Sequence, residues 1–296
     1  MTLKQLTLAL ALAGLPALAL AAKPAAPATI TVLTSLPVTH SLATALLEGT
    51  SVQLNSAAPA NLPATRQPSY FSGRGGASLD KAAQKADAAI GLRSIWRDDP
   101  LYPMARRSNI RIVEIDAARP VDGALPGIAV QGDNAFSGYP WLNPTNMGRM
   151  ADVVANDLER LSPSDKVRIQ ANLAGLKRQM LELNASSQTR LAEADNLSVV
   201  NLSERLGYLV SGLNLDVVDQ PLPTDDKWDA AALMALADTL KGQDVALVVH
   251  HRQPAAEVAE VIKAAGAKLV IVESDPQDSV AGLKTSVEQV IAALLG

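Results

Sequence analysis

Short apolar runs alternate with stretches in which apolar residues recur every three or four positions, and this rhythm occurs twice along the chain. The runs Thr29 to Thr34, Ser51 to Leu54, Ala88 to Leu92 and Ile110 to Ile115 read as strands, with helical spacing over Ser41 to Leu47 and Leu79 to Ala86 between them. After residue 195 the rhythm resumes with strands at Leu197 to Val200, Leu215 to Val218, Val245 to Val249 and Leu269 to Val272. These are separated by helices near 204–212, 226–240, 255–265 and 279–295. A run such as Val245-Ala246-Leu247-Val248-Val249, apolar at every position, is what a parallel strand covered on both faces requires. The pattern predicts two α/β lobes with mostly parallel sheets.

Between the lobes, Ser162-Pro163 supplies a helix cap and a first-turn proline, and Asp165 adds a favourable negative charge. Val167, Leu173, Leu176, Met180 and Leu183 then mark one apolar face. A helix from Pro163 to about Glu193 would be roughly 45 Å long at 1.5 Å per residue, a spine joining both lobes. The expected division is a leader at 1–22, an N-terminal lobe at 23–161, a linking helix at 162–195 and a C-terminal lobe at 196–296, with the ligand cleft between the lobes.

The leader reads as a secretory signal peptide. Lys4 precedes a Leu/Ala run from Leu6 to Leu20, and Ala19-Leu20-Ala21 offers a small-x-small cleavage pattern. The run contains Pro16 and falls short of the roughly 20 residues that span a bilayer. An Ala/Pro tether through Ala28 follows, so the mature protein is expected in a periplasm.

Composition narrows the chemistry. The 296 residues carry a net charge of −4, which leaves no electrostatic footprint for nucleic acid. With no cysteine, disulfides, thiolate metal sites, a cysteine nucleophile and a cysteine-linked lipid are excluded. A metal would draw on carboxylates, tyrosines and the three histidines His40, His250 and His251. No Gly-x-Ser-x-Gly elbow, His-Glu-x-x-His helix or isolated acid/base carboxylate pair is present, so the chain does not read as an enzyme. Ser72-Gly73-Arg74-Gly75-Gly76 lacks the lysine of a phosphate loop and reads as a turn. Arg66, Arg74, Arg93 and Arg97 are candidates for an anion clamp, or are ordinary solvated arginines. Asp98-Asp99 after Trp96, and Asp225-Asp226 before Trp228, read as acidic helix starts.

Four stretches carry a family likeness: Val32-Leu33-Thr34-Ser35-Leu36-Pro37 with Gly49, Tyr139-Pro140-Trp141-Leu142-Asn143-Pro144, the spine helix, and Ser203-Glu204-Arg205-Leu206-Gly207-Tyr208. Over essentially its mature length the chain resembles the zinc- and manganese-receptor (TroA-like, cluster A-I) substrate-binding proteins of ABC importers. The second stretch is similar to that family's His-x-Trp-Leu-Asp-Pro and the last to its His-Asp-Ala-Phe-Gly-Tyr. The resemblance implies a monomeric periplasmic receptor that delivers zinc, manganese or a metal complex to an ABC permease in the membrane, the metal being held by three histidines and a carboxylate. Carried over position by position, those ligands fall on Ala64, Tyr139, Ser203 and Glu273, or Asp275 for the last. Alanine coordinates nothing, and a lone carboxylate with a tyrosine and a serine falls short of an ordinary zinc site. The family's His/Asp-rich loop is missing too, since 117–138 contains no histidine.

Two readings follow. In one, a receptor keeps its function with an altered ligand, using a relocated site of His40, His250, His251, Glu273 and Asp275 at the carboxyl ends of the strands. Adjacent histidines on an extended strand point to opposite faces, so only one of His250 and His251 would serve. Tyr139 is a further candidate as a phenolate ligand or an aromatic platform. In the other reading, a degenerate paralogue binds no metal and acts as a partner of an uptake system.

Overall fold

A computed structural model describes residues 29–132, 135–223 and 227–296. The signal peptide, its tether through Ala28 and the acidic pair Asp225-Asp226 lie outside the described residues.

The first lobe is a four-stranded sheet of β1 (Thr31–Thr34), β2 (Gln53–Ser56), β3 (Ala88–Gly91) and β4 (Val113–Asp116). Its order is β2-β1-β3-β4 with every pairing parallel, as in Val32 opposite Leu54 and Leu33 opposite Ala89. The crossovers are α1 (Pro37–Leu47), α2 (Gln67–Ser72) with α3 (Gly76–Ala83), and α4 (Leu101–Ser108). After the helices α5 (Pro144–Leu161) and α6 (Lys166–Leu191) comes a second sheet of β5 (Ser198–Asn201), β6 (Asp216–Val218), β7 (Leu247–His250) and β8 (Lys268–Ile271). Its order, β6-β5-β7-β8, repeats the first, again all parallel. Its helices are α7 (Gly207–Gly212), α8 (Ala230–Gly242), α9 (Ala256–Ala265) and α10 (Ser279–Leu295). The two-lobe α/β architecture expected from the pattern is therefore what the chain adopts.

Continuous apolar strands are legible because both faces of each sheet are covered. Leu33, Ala89, Phe71, Leu79 and Leu101 form a cluster on one face of the first sheet. Val200, Val248, Leu236, Leu240 and Ile262 do the same for the second. The opposite faces share one continuous core that runs from Val32 and Leu42 through Met147 and Met150 to Leu209, Val249 and Val290. Each buried Leu or Val in it contributes about 1.5–3 kcal/mol by leaving water, so the lobes are joined by hydrophobic packing as well as by the chain.

The spine departs from expectation in two ways. A 3-10 turn at Pro163–Asp165 precedes the regular helix, and α6 of 26 residues is about 39 Å long at 1.5 Å per residue. Its buried stripe is Ile169, Leu176, Met180, Leu183, Ser187 and Leu191, whereas Val167 is 80% exposed. Val167 sits two positions from Ile169, about 200° round the helix, which puts it on the opposite face. The spine is also doubled. α5 carries its own buried face of Met147, Met150, Val153, Val154 and Leu158 and packs along α6, with Asp152 accepting from Lys177 at 2.8 Å.

Candidate metal and ligand site

Tyr139 precedes a 3-10 turn, Pro140–Leu142, and takes a left-handed backbone with φ 54°. A non-glycine residue pays for that conformation, and here the ring is held by packing. It lies 4.6 Å from Trp141 and 6.1 Å from Phe136, which itself stacks on Trp96 at 4.7 Å. The turn is locked downstream by Asn143, whose side chain accepts from the backbone N–H groups of Thr145 and Asn146 and caps α5. Opposite, Gly138 touches the second lobe. A Cβ there would come within 2.7 Å of the Tyr208 ring, so only glycine allows α7 this close. Tyr208 fixes the same loop by accepting the N–H of Gln131 at its hydroxyl.

Ser203 follows β5. Its N–H donates to the Asn201 side chain at 3.0 Å, and its Oγ is 2.7 Å from Nδ1 of His251. His250 ends β7, where its Nδ1 accepts the N–H of Arg252 at 3.0 Å, which places the ring proton on Nε2. The expected opposition of the two histidines does not hold: their rings stack at 4.7 Å and 17°. The strand ends at His250, so His251 is already in a bend and alternation of faces no longer applies. Burial lowers the pKa of His250, and burial, then Arg205 and His250, pushes His251 down to about 4. Both are neutral at physiological pH.

Asp275 is half-buried. Burial, aided by Glu273 and opposed by Arg205, pushes its carboxyl up to about 6. The Tyr139 hydroxyl is raised by burial and then by Asp275, which disfavours the phenolate a ferric ion would need. Glu273 is exposed. Ala64 is buried at the start of a 3-10 turn and offers no donor. His40 lies in α1, with Nδ1 2.9 Å from the Thr34 hydroxyl and its pKa lowered by burial. Among the described residues no three of His, Asp and Glu come together closely enough to hold a metal ion, so the residues present do not form a transition-metal cage.

One residue of this region carries a role that sequence reasoning did not assign to it. The Arg205 guanidinium lies 5.4 Å from the centre of the Tyr139 ring, a cation–π contact from the second lobe to the first. Its position was legible: it stands where the family motif has a small alanine. The candidate anion clamp does not form as a set, since Arg93 pairs with Glu114 at 3.0 Å and Arg74 lies on the Tyr70 ring. Asp99 accepts from the backbone of Leu92 and Leu101 inside the first lobe.

The two lobes and the spine also line a groove of about 1530 Å³, to which none of Tyr139, Ser203, Arg205, His250 and His251 contributes. α1 and β2 form one wall, the start of α10 another, and Gln179, Met180, Leu183 and Ser186 of α6 the floor. The lobes touch at its edge, where Ser41 donates to Asp278 at 2.8 Å and accepts from the Val280 N–H at 3.1 Å. His40 lines this groove, away from the stacked histidines.

The model of a family described as zinc-uptake complex component A, periplasmic, matches residues 97–289. The chain belongs to that family. A crystal structure of ZnuA is 19% identical, covering 89% of this chain and 98% of its own, with a TM-score of 0.67. A mutant of FpvC from Pseudomonas aeruginosa is 18% identical over 90% of this chain and 99% of its own, at 0.71. The metal-dependent lipoprotein YcdH from Bacillus subtilis is 16% identical over 90% and 100%, at 0.68. At these identities the likeness is one of fold. No curated protein matches the chain.

Proposed function

We propose that the protein is the periplasmic solute-binding component of an ABC-type metal uptake system, delivering a metal ion or metal complex to a membrane permease. The observation that carries this is the family match over 97–289, joined to two parallel-sheet lobes around a long helix. The leader at 1–22 is removed on export in this reading, and the mature chain works as a monomer of two lobes, 23–161 and 196–296, around the linking segment 162–195. Its role is binding and hand-over, without catalysis. Among the described residues no helix is long and apolar enough to cross a membrane, which agrees with a receptor that meets its permease from outside the bilayer.

The altered ligand positions bear on what is delivered. Ala64, Tyr139 and Ser203 supply none of the three histidines, and Glu273 or Asp275 alone does not replace them. A strain lacking the gene, grown in chelator-limited medium and complemented with the mature sequence behind its own leader, tests the reading. Accumulation of zinc, manganese or iron should fall in the deletion and recover on complementation. Unchanged accumulation of all three would remove the transport function and leave the non-binding paralogue.

A further inference from the structure

A cation stands over one of the positions that the family resemblance aligns with a metal ligand. Arg205 reaches from the second lobe onto Tyr139 of the first, beside the aligned positions Tyr139 and Ser203. It exerts a charge effect on His251, which is bonded to Ser203, and on Asp275. A divalent ion entering there would meet a fixed positive charge. The protein groups around it, two imidazoles and the Asp275 carboxylate, are not grouped closely enough to hold an ion against that charge.

The groove has the opposite character. Its volume of about 1530 Å³ exceeds what a single ion needs and suits a ligand with a body. Leu36, Leu54, Met180, Leu183 and Val280 give it an apolar lining, while Glu48, Glu182, Asp278 and Glu288 face a single base, Lys284. Asp278 is bonded to Ser41 and Glu288 is paired with Arg190, but Glu48 and Glu182 make no ion pair among the described residues. On its lining the Ser35 hydroxyl, 6% exposed, has no hydrogen-bond partner among the described residues. Behind it lies the fully buried Gln67, whose Nε2 donates to the Ser35 carbonyl and whose Oε1 is likewise unpaired among the described residues. Buried polar atoms left unpaired in this way point to a ligand or water that completes them. Both lobes contribute walls, so an occupant here is sensed by both.

We propose that this receptor takes its metal as a positively charged organic complex, seated in the groove between α1, β2, α6 and α10. The proposal rests on the uptake function above and names its cargo: a cation with an apolar shell, whose charge is met by Glu48 and Glu182 and whose polar edge lies toward Ser35.

Calorimetric titration of the mature protein tests it with three probes: zinc alone, the zinc complex of 1,10-phenanthroline, and tetraphenylphosphonium as a metal-free apolar cation. The phenanthroline complex should bind one per chain and zinc alone should not saturate. Ala281→Trp and Glu182→Lys, both at exposed positions on the groove, should each weaken the complex at least tenfold while leaving the thermal melt near wild type. Arg205→Ala should leave it unchanged. Competition by tetraphenylphosphonium would support a groove that reads cationic charge and apolar bulk. Stoichiometric binding of zinc alone would overturn the proposal. So would no binding of the complex, binding that neither groove substitution moves, or binding lost in Arg205→Ala. If the complex fails to bind while the deletion strain still loses metal accumulation, this inference falls and the uptake function stands.

Discussion

The bond between Ser41 and Asp278 is the polar tie between the lobes whose removal is simplest to read. Ser41 is 7% exposed. Its hydroxyl donates to Asp278 at 2.8 Å and accepts from the Val280 N–H at 3.1 Å, and Asp278 also accepts from the Ala281 N–H at 3.0 Å to cap α10. Ser41→Ala removes two bonds at once and leaves a first-turn N–H of α10 unpaired. A hydrogen bond to a charged group is worth about 1.5–3 kcal/mol and an orphaned buried donor costs about 1–3. Asp278 is exposed, so water recovers part of this, and we expect a net loss of about 2 kcal/mol. Asp278→Ala loses the same bond and, in addition, about 1 kcal/mol of helix cap. In a double-mutant cycle read by urea unfolding, the cap cancels and the tie remains as a coupling of about 1–2 kcal/mol. Because the partners belong to different lobes, that coupling also requires the lobes to unfold together. A coupling below about 0.3 kcal/mol, with both single variants near wild type, would refute the tie.

Other outcomes follow from single residues. Asp99 is 1% exposed and burial pushes its carboxyl up to about 6, so the folded chain holds that proton at higher pH than the unfolded chain does. Its contribution therefore destabilises the fold above about pH 6 and is relieved as pH falls toward 4, by up to about 3 kcal/mol; unfolding free energies at pH 4.5 and 7 should show this change in wild type and lose it in Asp99→Asn, and an identical pH dependence in both would exclude it. A Cβ on Gly91 would lie 2.5 Å from the same carboxylate, so Gly91→Ala should cost more than about 2 kcal/mol in a thermal melt. Gly175, in the middle of α6 with nothing within 4 Å of its missing Cβ, should gain roughly 0.5–1 kcal/mol on replacement by alanine, and a lowered melting temperature would show that the spine needs its flexibility. Tyr139→Phe keeps the ring packing and should leave stability within about 0.5 kcal/mol, since among the described residues the hydroxyl makes no hydrogen bond that holds the turn.

The central strands were legible because they are buried on both faces, so Ala88–Gly91 and Leu247–Val249 read as unbroken apolar runs. β2 shifted from 51–54 to 53–56 because it is an edge strand with mostly exposed residues, and hydrophobicity marks its limits poorly. The short α4, with buried residues only at Leu101 and Ala105, left too little periodicity to see. The second spine helix was less visible for another reason. α5 lies within the expected N-terminal lobe, and only its packing along α6 shows that the two form one strut.

The site divided along the same line between local and non-local information. That Ala64, Tyr139 and Ser203 stand where the family resemblance expects histidines is a reading of single positions. What fills the gap is set by where side chains from different lobes meet. Arg205 was in view as the third residue of Ser203-Glu204-Arg205-Leu206-Gly207-Tyr208, but its meaning depends on Tyr139, sixty-six positions earlier, and on a loop that Gly138 lets approach α7. The groove depends on still more distant partners, since Ser35, Met180 and Asp278 become neighbours only when both sheets dock on the spine. His40 shows the consequence most plainly. Its place after the first strand suggested a metal ligand beside His250 and His251, yet the turn of α1 carries it to the groove wall, where its Nδ1 meets the hydroxyl of Thr34.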